Sequence, residues 1–349
     1  MAEGDIIRGL LKSHVQKDED GFRRAASALI ANERKLNHRL LADDLERLLN
    51  GRINGNNLSK EMHEFQIPKD KEHGLPLVSL AESQVTWDSL VYPPKITAAL
   101  QQCVAENNKR ELLMSAGVAP KQKILLHGPP GCGKTISAGA IASDLGLPLA
   151  TVRLDSVMSS FLGQTASNLR RVFDFIESSK FVVLFDECDT FAKERSLGNE
   201  HGELLRVVSS LLQMMDGFKG ESVIIFATNH QQLLDSALWR RFDLILELGK
   251  PTSQDRVLLL RKFLCSLRVQ TKVTDKYARA MEGATGADLK WFSQEIIRHC
   301  VIEGKSEATP KEFEIAKESL ILRTKSLSGR EDSSRPIKKR VSRTNPQSG

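Results

Sequence analysis

The sequence predicts an α/β chain: a five-stranded parallel sheet between helices, preceded by a small all-α N-terminal domain and followed by a second helical domain. Three observations carry this expectation. Short β-type runs at Ile124–Leu126, Leu149–Leu154, Phe181–Phe185, Ser222–Ala227 and Leu244–Leu248 alternate with longer helical stretches, a pattern that buries a parallel sheet on both faces. A glycine-rich octapeptide, Gly128-Pro129-Pro130-Gly131-Cys132-Gly133-Lys134-Thr135, joins the first of these strands to an alanine-rich stretch that ends near Gly146. Outside this region apolar residues recur at helical spacing only, as in Ile6, Ile7, Leu10 and Leu11, then Phe22, Ala25, Ala26, Leu29 and Ile30, then Leu40, Leu41, Leu45, Leu48 and Leu49.

Taken in order, residues 1–52 read as the helical N-terminal domain. Residues 53–88 read as a linker, since Gly55, Asn56, Asn57, Pro68, Gly74 and Pro76 break any period. The α/β domain then spans 89–250, and residues 251–325 return to helices with turns at Gly283, Gly286 and Gly304. From 326 to 349 the chain is rich in Ser, Pro, Lys and Arg and is expected to be a disordered basic tail. Arg323 to Gly349 alone holds eight basic residues against two acids, leaving 42 of each sign elsewhere, so the net charge of +6 belongs to the tail. Eight cations offer a polyanion such as DNA a salt-dependent contact. The tail has no aromatic residues to stack on bases, however, and a solvated tail is the expected state.

Composition sets further limits. With 349 residues, 40% of them apolar, the chain can bury a sizeable core. No apolar stretch reaches membrane-spanning length, and acids at Glu3 and Asp5 oppose a secretory leader, so a cytoplasmic protein without a membrane anchor is expected. Five scattered cysteines suit neither a disulfide framework nor a zinc site.

The octapeptide has the P-loop pattern in its required strand-to-helix setting. Glycines let successive N–H groups point inward at phosphate oxygens, and the helix N-terminus adds partial positive charge. On this reading Gly128 to Thr135, with the following Ile136, form the cradle; Lys134 reaches the β- and γ-phosphates, and Thr135 holds Mg²⁺. The run Phe181-Val182-Val183-Leu184-Phe185-Asp186-Glu187 delivers two carboxylates at the end of an apolar strand, where ligands gather in open parallel sheets. Asp186 is assigned to the Mg²⁺ shell and Glu187 to polarising the water that attacks the γ-phosphate. ATP and Mg²⁺ are therefore the expected substrate and cofactor. Cys132 and Cys188 flank these motifs, either as oxidisable thiols or as small residues that simply fit.

With these motifs in place the chain resembles the AAA family of ATPases over roughly Val85 to Leu320, which implies a P-loop AAA module with a helical lid. Ala227-Thr228-Asn229 is similar to the family's sensor-1 segment, implying that Asn229 helps orient the attacking water. Asp235-Ser236-Ala237-Leu238-Trp239-Arg240-Arg241-Phe242-Asp243 resembles the arginine-finger segment. Arg241 is the preferred finger on the neighbouring subunit's γ-phosphate and Arg240 the candidate for a second or structural role. Gly283-Ala284-Thr285-Gly286-Ala287-Asp288-Leu289 resembles the sensor-2 region, placing Gly286 and Ala287 against the nucleotide. Ser159-Ser160-Phe161-Leu162-Gly163-Gln164-Thr165 stands where the family has its first pore loop, which makes Phe161, Leu162 and Gly163 the candidate grip on a polypeptide.

The resemblance implies a homo-oligomer, a hexamer, whose ATP hydrolysis remodels, unfolds or threads a protein client selected by the N-terminal helices. A second reading stays open: a nucleotide-dependent binding switch that holds or releases a dedicated partner, with slow hydrolysis as a timer. No His-Glu-x-x-His occurs, so any proteolysis would come from a separate protease, as in some similar bacterial ATPases.

Overall fold

A computed structural model of the chain describes residues 12–13, 18, 21–22, 24–29, 65–158, 162–189, 201–233 and 236–332. In chain order the α/β part runs through β1 (Val78–Ala81), α1 (Pro94–Asn108), α2 (Arg110–Ser115), β2 (Lys123–His127), α3 (Lys134–Leu145), β3 (Leu149–Val152), α4 (Leu154–Val157), α5 (Leu162–Ser178), β4 (Val182–Phe185), α6 (His201–Gly217), β5 (Val223–Thr228), α7 (Ser236–Trp239) and β6 (Leu244–Glu247). The sheet order is β1-β3-β4-β5-β2-β6. The five strands read from the sequence pair in parallel, with β5 between β4 and β2. Their carboxyl ends therefore bring three separate segments to one edge.

Alternation along the strands divides the core into two faces. Ile124 and Leu126 of β2, with Val182, Leu184 and Ile225, pack beneath α1 and α3 through Leu100, Val104 and Ile141. Leu125, Val183, Phe185 and Phe226 face the opposite layer, where Leu169, Val172 and Ile176 of α5 meet Leu211 and Met215 of α6. Each such side chain, once fully buried, contributes about 1.5–3 kcal/mol. The rings of Phe185 and Phe226 stack with centroids 4.5 Å apart and so register β4 against β5 directly below the site.

The sheet has one strand more than expected. The segment read as a linker supplies β1, which pairs antiparallel with β3 from Val78↔Val152 to Ala81↔Leu149. Before it, Phe65 packs edge-on against Phe181 at 5.0 Å, and the buried Asp70 accepts from Asn168 of α5 at 3.2 Å. Residues 65–81 are thus docked to the module, so the linker reading fails for this stretch. Four residues of mixed burial at a sheet edge carry too little period to be seen in sequence.

The second helical region consists of α8 (Ser253–Phe263), α9 (Thr271–Ala280), α10 (Gly286–Ile302) and α11 (Pro310–Asp332), around Leu260, Tyr277, Phe292, Ile296 and Phe313. Reciprocal capping boxes start two of these helices, Thr252 with Asp255 and Thr285 with Asp288, satisfying N–H groups that helix ends otherwise leave open. Two short strands, β7 (Arg268–Val269) and β8 (Glu307–Ala308), add a parallel pair that the helical reading did not include. The helix α11 continues to Asp332, so residues 326–332, read as tail, are helical, and residues 333–349 lie outside the described residues. Of residues 1–52, positions 12–13, 21–22 and 24–29 are helical and Asp18 is not; the rest of the predicted N-terminal domain lies outside the described residues.

Candidate active site

Strand β2 leads at His127 into a loop that winds into α3. Two glycines are required by close approach as well as by backbone angle. At Gly128 (φ 138°) a Cβ would sit 2.2 Å from the Leu248 carbonyl oxygen, and at Gly133 (φ 92°) 2.3 Å from the Tyr92 hydroxyl. The loop thus lies against β6 on one side and the Tyr92 ring on the other.

Lys134, in the first turn of α3, is buried, and its Nζ donates to Gly128 O (2.7 Å), Pro129 O (2.9 Å) and Asn229 Oδ1 (2.7 Å). All three acceptors are neutral. Burial pulls the lysine pKa down, while Cys132, Asp186 and Asp189 oppose that pull. An ammonium held by neutral oxygens keeps its charge for an incoming anion.

Beyond β4, Asp186 accepts from Thr135 Oγ1 at 2.6 Å through one carboxylate oxygen and from the Glu187 N–H at 2.9 Å through the other. Glu187 has φ 52°, in the left-handed region. A non-glycine residue held there costs about 1–3 kcal/mol and persists only where its surroundings impose it. Two residues on, the buried Asp189 accepts from Thr228 Oγ1 at 3.2 Å, and that hydroxyl also receives the His230 N–H at 3.0 Å. This clasp ties the end of β4 to the end of β5 and so fixes Glu187 relative to Asn229.

A cavity of about 970 Å³ gathers these groups. Its lining combines the loop, Thr135, Asp186, Glu187 and Asn229 with the apolar or aromatic side chains of Val91, Tyr92, Ile96, Leu259 and Phe263. Gly286 and Ala287 of α10 line it too, and the Ala287 N–H donates to Gly131 O at 3.1 Å. The predicted residues from Pro130 to Ile136, with Asp186, Glu187, Asn229, Gly286 and Ala287, are therefore gathered in one place, while Gly128 and Pro129 contribute the carbonyls that hold Lys134.

Other predicted residues stand apart. Arg241 binds Asp216 of α6 through Nε at 3.0 Å and donates from a terminal nitrogen to Ala237 O at 2.7 Å. Arg240 is exposed and makes no hydrogen bond or ion pair among the described residues. The Trp239 ring lies edge-on to His127 with centroids 5.5 Å apart, which joins the short α7 to the strand beneath the loop. Leu162 and Gly163 belong to the first turn of α5 rather than to a loop, and Phe161 lies outside the described residues. Burial pushes the Cys132 and Cys188 thiols up, so they remain protonated at neutral pH and fit the reading of small packing residues.

The model for the "ATPase family associated with various cellular activities (AAA)" matches residues 124–250. An uncharacterized AAA family ATPase of Sinorhizobium fredii is 34% identical over 316 residues, which cover 90% of this chain and 94% of that one. This chain belongs to the AAA family. The AAA chain is also 33% identical over 213 residues to the proteasome-activating nucleotidase of Methanococcus vannielii and 37% identical over 190 residues to the ribosome biogenesis ATPase of Saccharomyces cerevisiae. It covers 52% and 23% of those two proteins. As an AAA ATPase it binds ATP and hydrolyses it. Among its described residues no helix is long and apolar enough to cross a membrane.

Two parts of the AAA site escaped the sequence reading. The cavity wall contributed by Val85 to Ile96 sits partly in the presumed linker, and the Asp189–Thr228 clasp joins residues 39 apart. A short polar side chain at the end of each strand was the only signal available for the clasp.

Proposed function

We infer that this AAA ATPase works as a homo-oligomeric ring, a homohexamer, in which ATP split at a subunit seam drives the remodelling, unfolding or threading of a protein client. One observation carries this: among the described residues the cavity wall holds lysines but no arginine, while Arg240 stands exposed outside it. Charge that develops on the transferred phosphoryl group then calls for a cation from elsewhere, and a guanidinium from a neighbouring copy supplies it. Arg240 is the better finger, because Arg241 is already committed to Asp216 and Ala237 within its own chain.

Within one subunit the geometry supports the following roles. Lys134 binds the terminal phosphates as it exchanges its neutral acceptors for anionic ones. Thr135 Oγ1 and Asp186, adjacent hard oxygen donors, suit Mg²⁺, which prefers one or two protein oxygens with water and phosphate completing its shell. Held there, Mg²⁺ would supply charge neutralisation for the phosphates. Glu187 takes the proton of the attacking water, and Asn229 orients that water. Gly286 and Ala287 bring the lid onto the loop. Phe161, Leu162 and Gly163 grip the client at the ring axis, and the N-terminal domain selects it. The names of the nucleotidase and ribosome biogenesis relatives support work on macromolecular partners.

The test is turnover against protein concentration at saturating Mg·ATP, with sedimentation run in parallel. Specific activity is expected to rise as the protein assembles, and Phe161→Ala is expected to abolish client remodelling while ATP binding persists. A single subunit whose turnover is indifferent to concentration overturns the ring; unaltered partner handling by Phe161→Ala supports the binding switch instead.

A further inference from the structure

Tyr92 belongs to the segment ahead of α1 that lines the cavity, and its hydroxyl reaches the phosphate loop. It is 3.2 Å from Cys132 O, 3.0 Å from Gly133 O and 2.9 Å from Ser137 Oγ. Ser137 Oγ in turn lies 3.0 Å from Gly133 O. Tyr92 thus donates its one proton to the loop carbonyls, and Ser137 donates its own either to Gly133 O or to the Tyr92 oxygen. The fit is close, since the missing side chain of Gly133 is the space the hydroxyl occupies. Burial pushes the Tyr92 pKa up to about 12, so the hydroxyl keeps its proton and remains a donor across the physiological range.

Carbonyls drawn backward turn the intervening N–H groups forward, because each peptide plane is rigid. Anion recognition by a loop of this kind depends on those N–H groups converging. Holding the carbonyls of Cys132 and Gly133 therefore orders the donors of the next residues before any phosphate arrives, and pre-ordering lowers the entropy lost on binding. The brace comes from a segment, Val85 to Ile96, that itself lines the cavity.

We propose that Tyr92 is a positioning residue whose hydroxyl braces the phosphate loop and ties the segment ahead of α1 to it. This rests on the nucleotide reading of the site. Nothing in the P-loop pattern requires a tyrosine there.

The test uses the full chain with ATP, ADP and adenosine as probes, measured by competition against a fluorescent ATP analogue. Tyr92→Phe keeps the ring and removes the hydroxyl. Affinity for ATP and ADP is expected to fall about tenfold, the cost of the Cys132 carbonyl losing its hydroxyl donor while Gly133 O keeps the Ser137 N–H, with adenosine affinity and melting temperature unchanged. Ser137→Ala should weaken ATP by about threefold and add little to Tyr92→Phe, since the two hydroxyls act as one unit. Wild-type ATP affinity in Tyr92→Phe, or an equal loss for all three probes, overturns the brace. If Tyr92→Phe does not fold, Ser137→Ala decides alone: a selective loss for ATP and ADP supports the brace, and no loss overturns it. A wild-type chain that fails to bind Mg·ATP sinks the nucleotide reading itself, so the two failures are distinguishable.

Discussion

Arg240→Ala is expected to lower steady-state turnover by about 10³–10⁵-fold while leaving ATP affinity close to wild type, because a finger neutralises charge that appears only in the transition state. Arg241→Ala should have a much smaller effect on the chemistry. Its guanidinium is partly exposed and paired with Asp216, an arrangement worth roughly 0–1 kcal/mol in water. Coupled-enzyme ATPase assays on both variants separate the roles. The decisive arm mixes Arg240→Ala with an excess of a glutamate variant: seams that combine an intact Glu187 with a neighbour's intact Arg240 should recover activity.

Glu187→Gln is that partner, and its own effect should be almost as large. The amide is the same size, keeps the same backbone angle and cannot accept the water's proton. Turnover is expected to fall about 10²–10⁴-fold, the usual contribution of a positioned general base. ATP should still bind, since Lys134, Thr135 and the loop are untouched, and the trapped nucleotide can be measured by rapid filtration followed by chromatography of the bound species. The cost of holding residue 187 at φ 52° is common to both proteins, which makes this substitution a clean probe of the carboxylate. A β-branched replacement would confound the two, adding steric strain at a backbone angle that disfavours it.

The site was legible in proportion to how local its chemistry is. Gly128 to Thr135 are contiguous, and their job is set by backbone angles that only certain residues allow, so eight letters carried most of the cradle. Asp186 and Glu187 were legible because an apolar strand ends on them. Tyr92 was not, since its partners are 40 to 45 residues away and a lone tyrosine before two prolines has no period. The same applies to β1: its register comes from β3, 68 to 74 positions on, and its own four residues say little. The choice between Arg240 and Arg241 turned on Asp216 in α6, a contact across 25 residues. Beyond residue 326, charge and serine content masked a helix that continues to Asp332.

The docking of residues 65–81 gives the molecule a load path. Tension on the chain ahead of Phe65 meets the aromatic contact with Phe181, then the Asp70–Asn168 pair and the Arg171 guanidinium on the Lys69 carbonyl, before it reaches β1. Asn168 and Arg171 lie on α5, whose first residue, Leu162, directly follows Phe161. The stretch ahead of β1 is therefore anchored to the same helix that begins beside the proposed client grip.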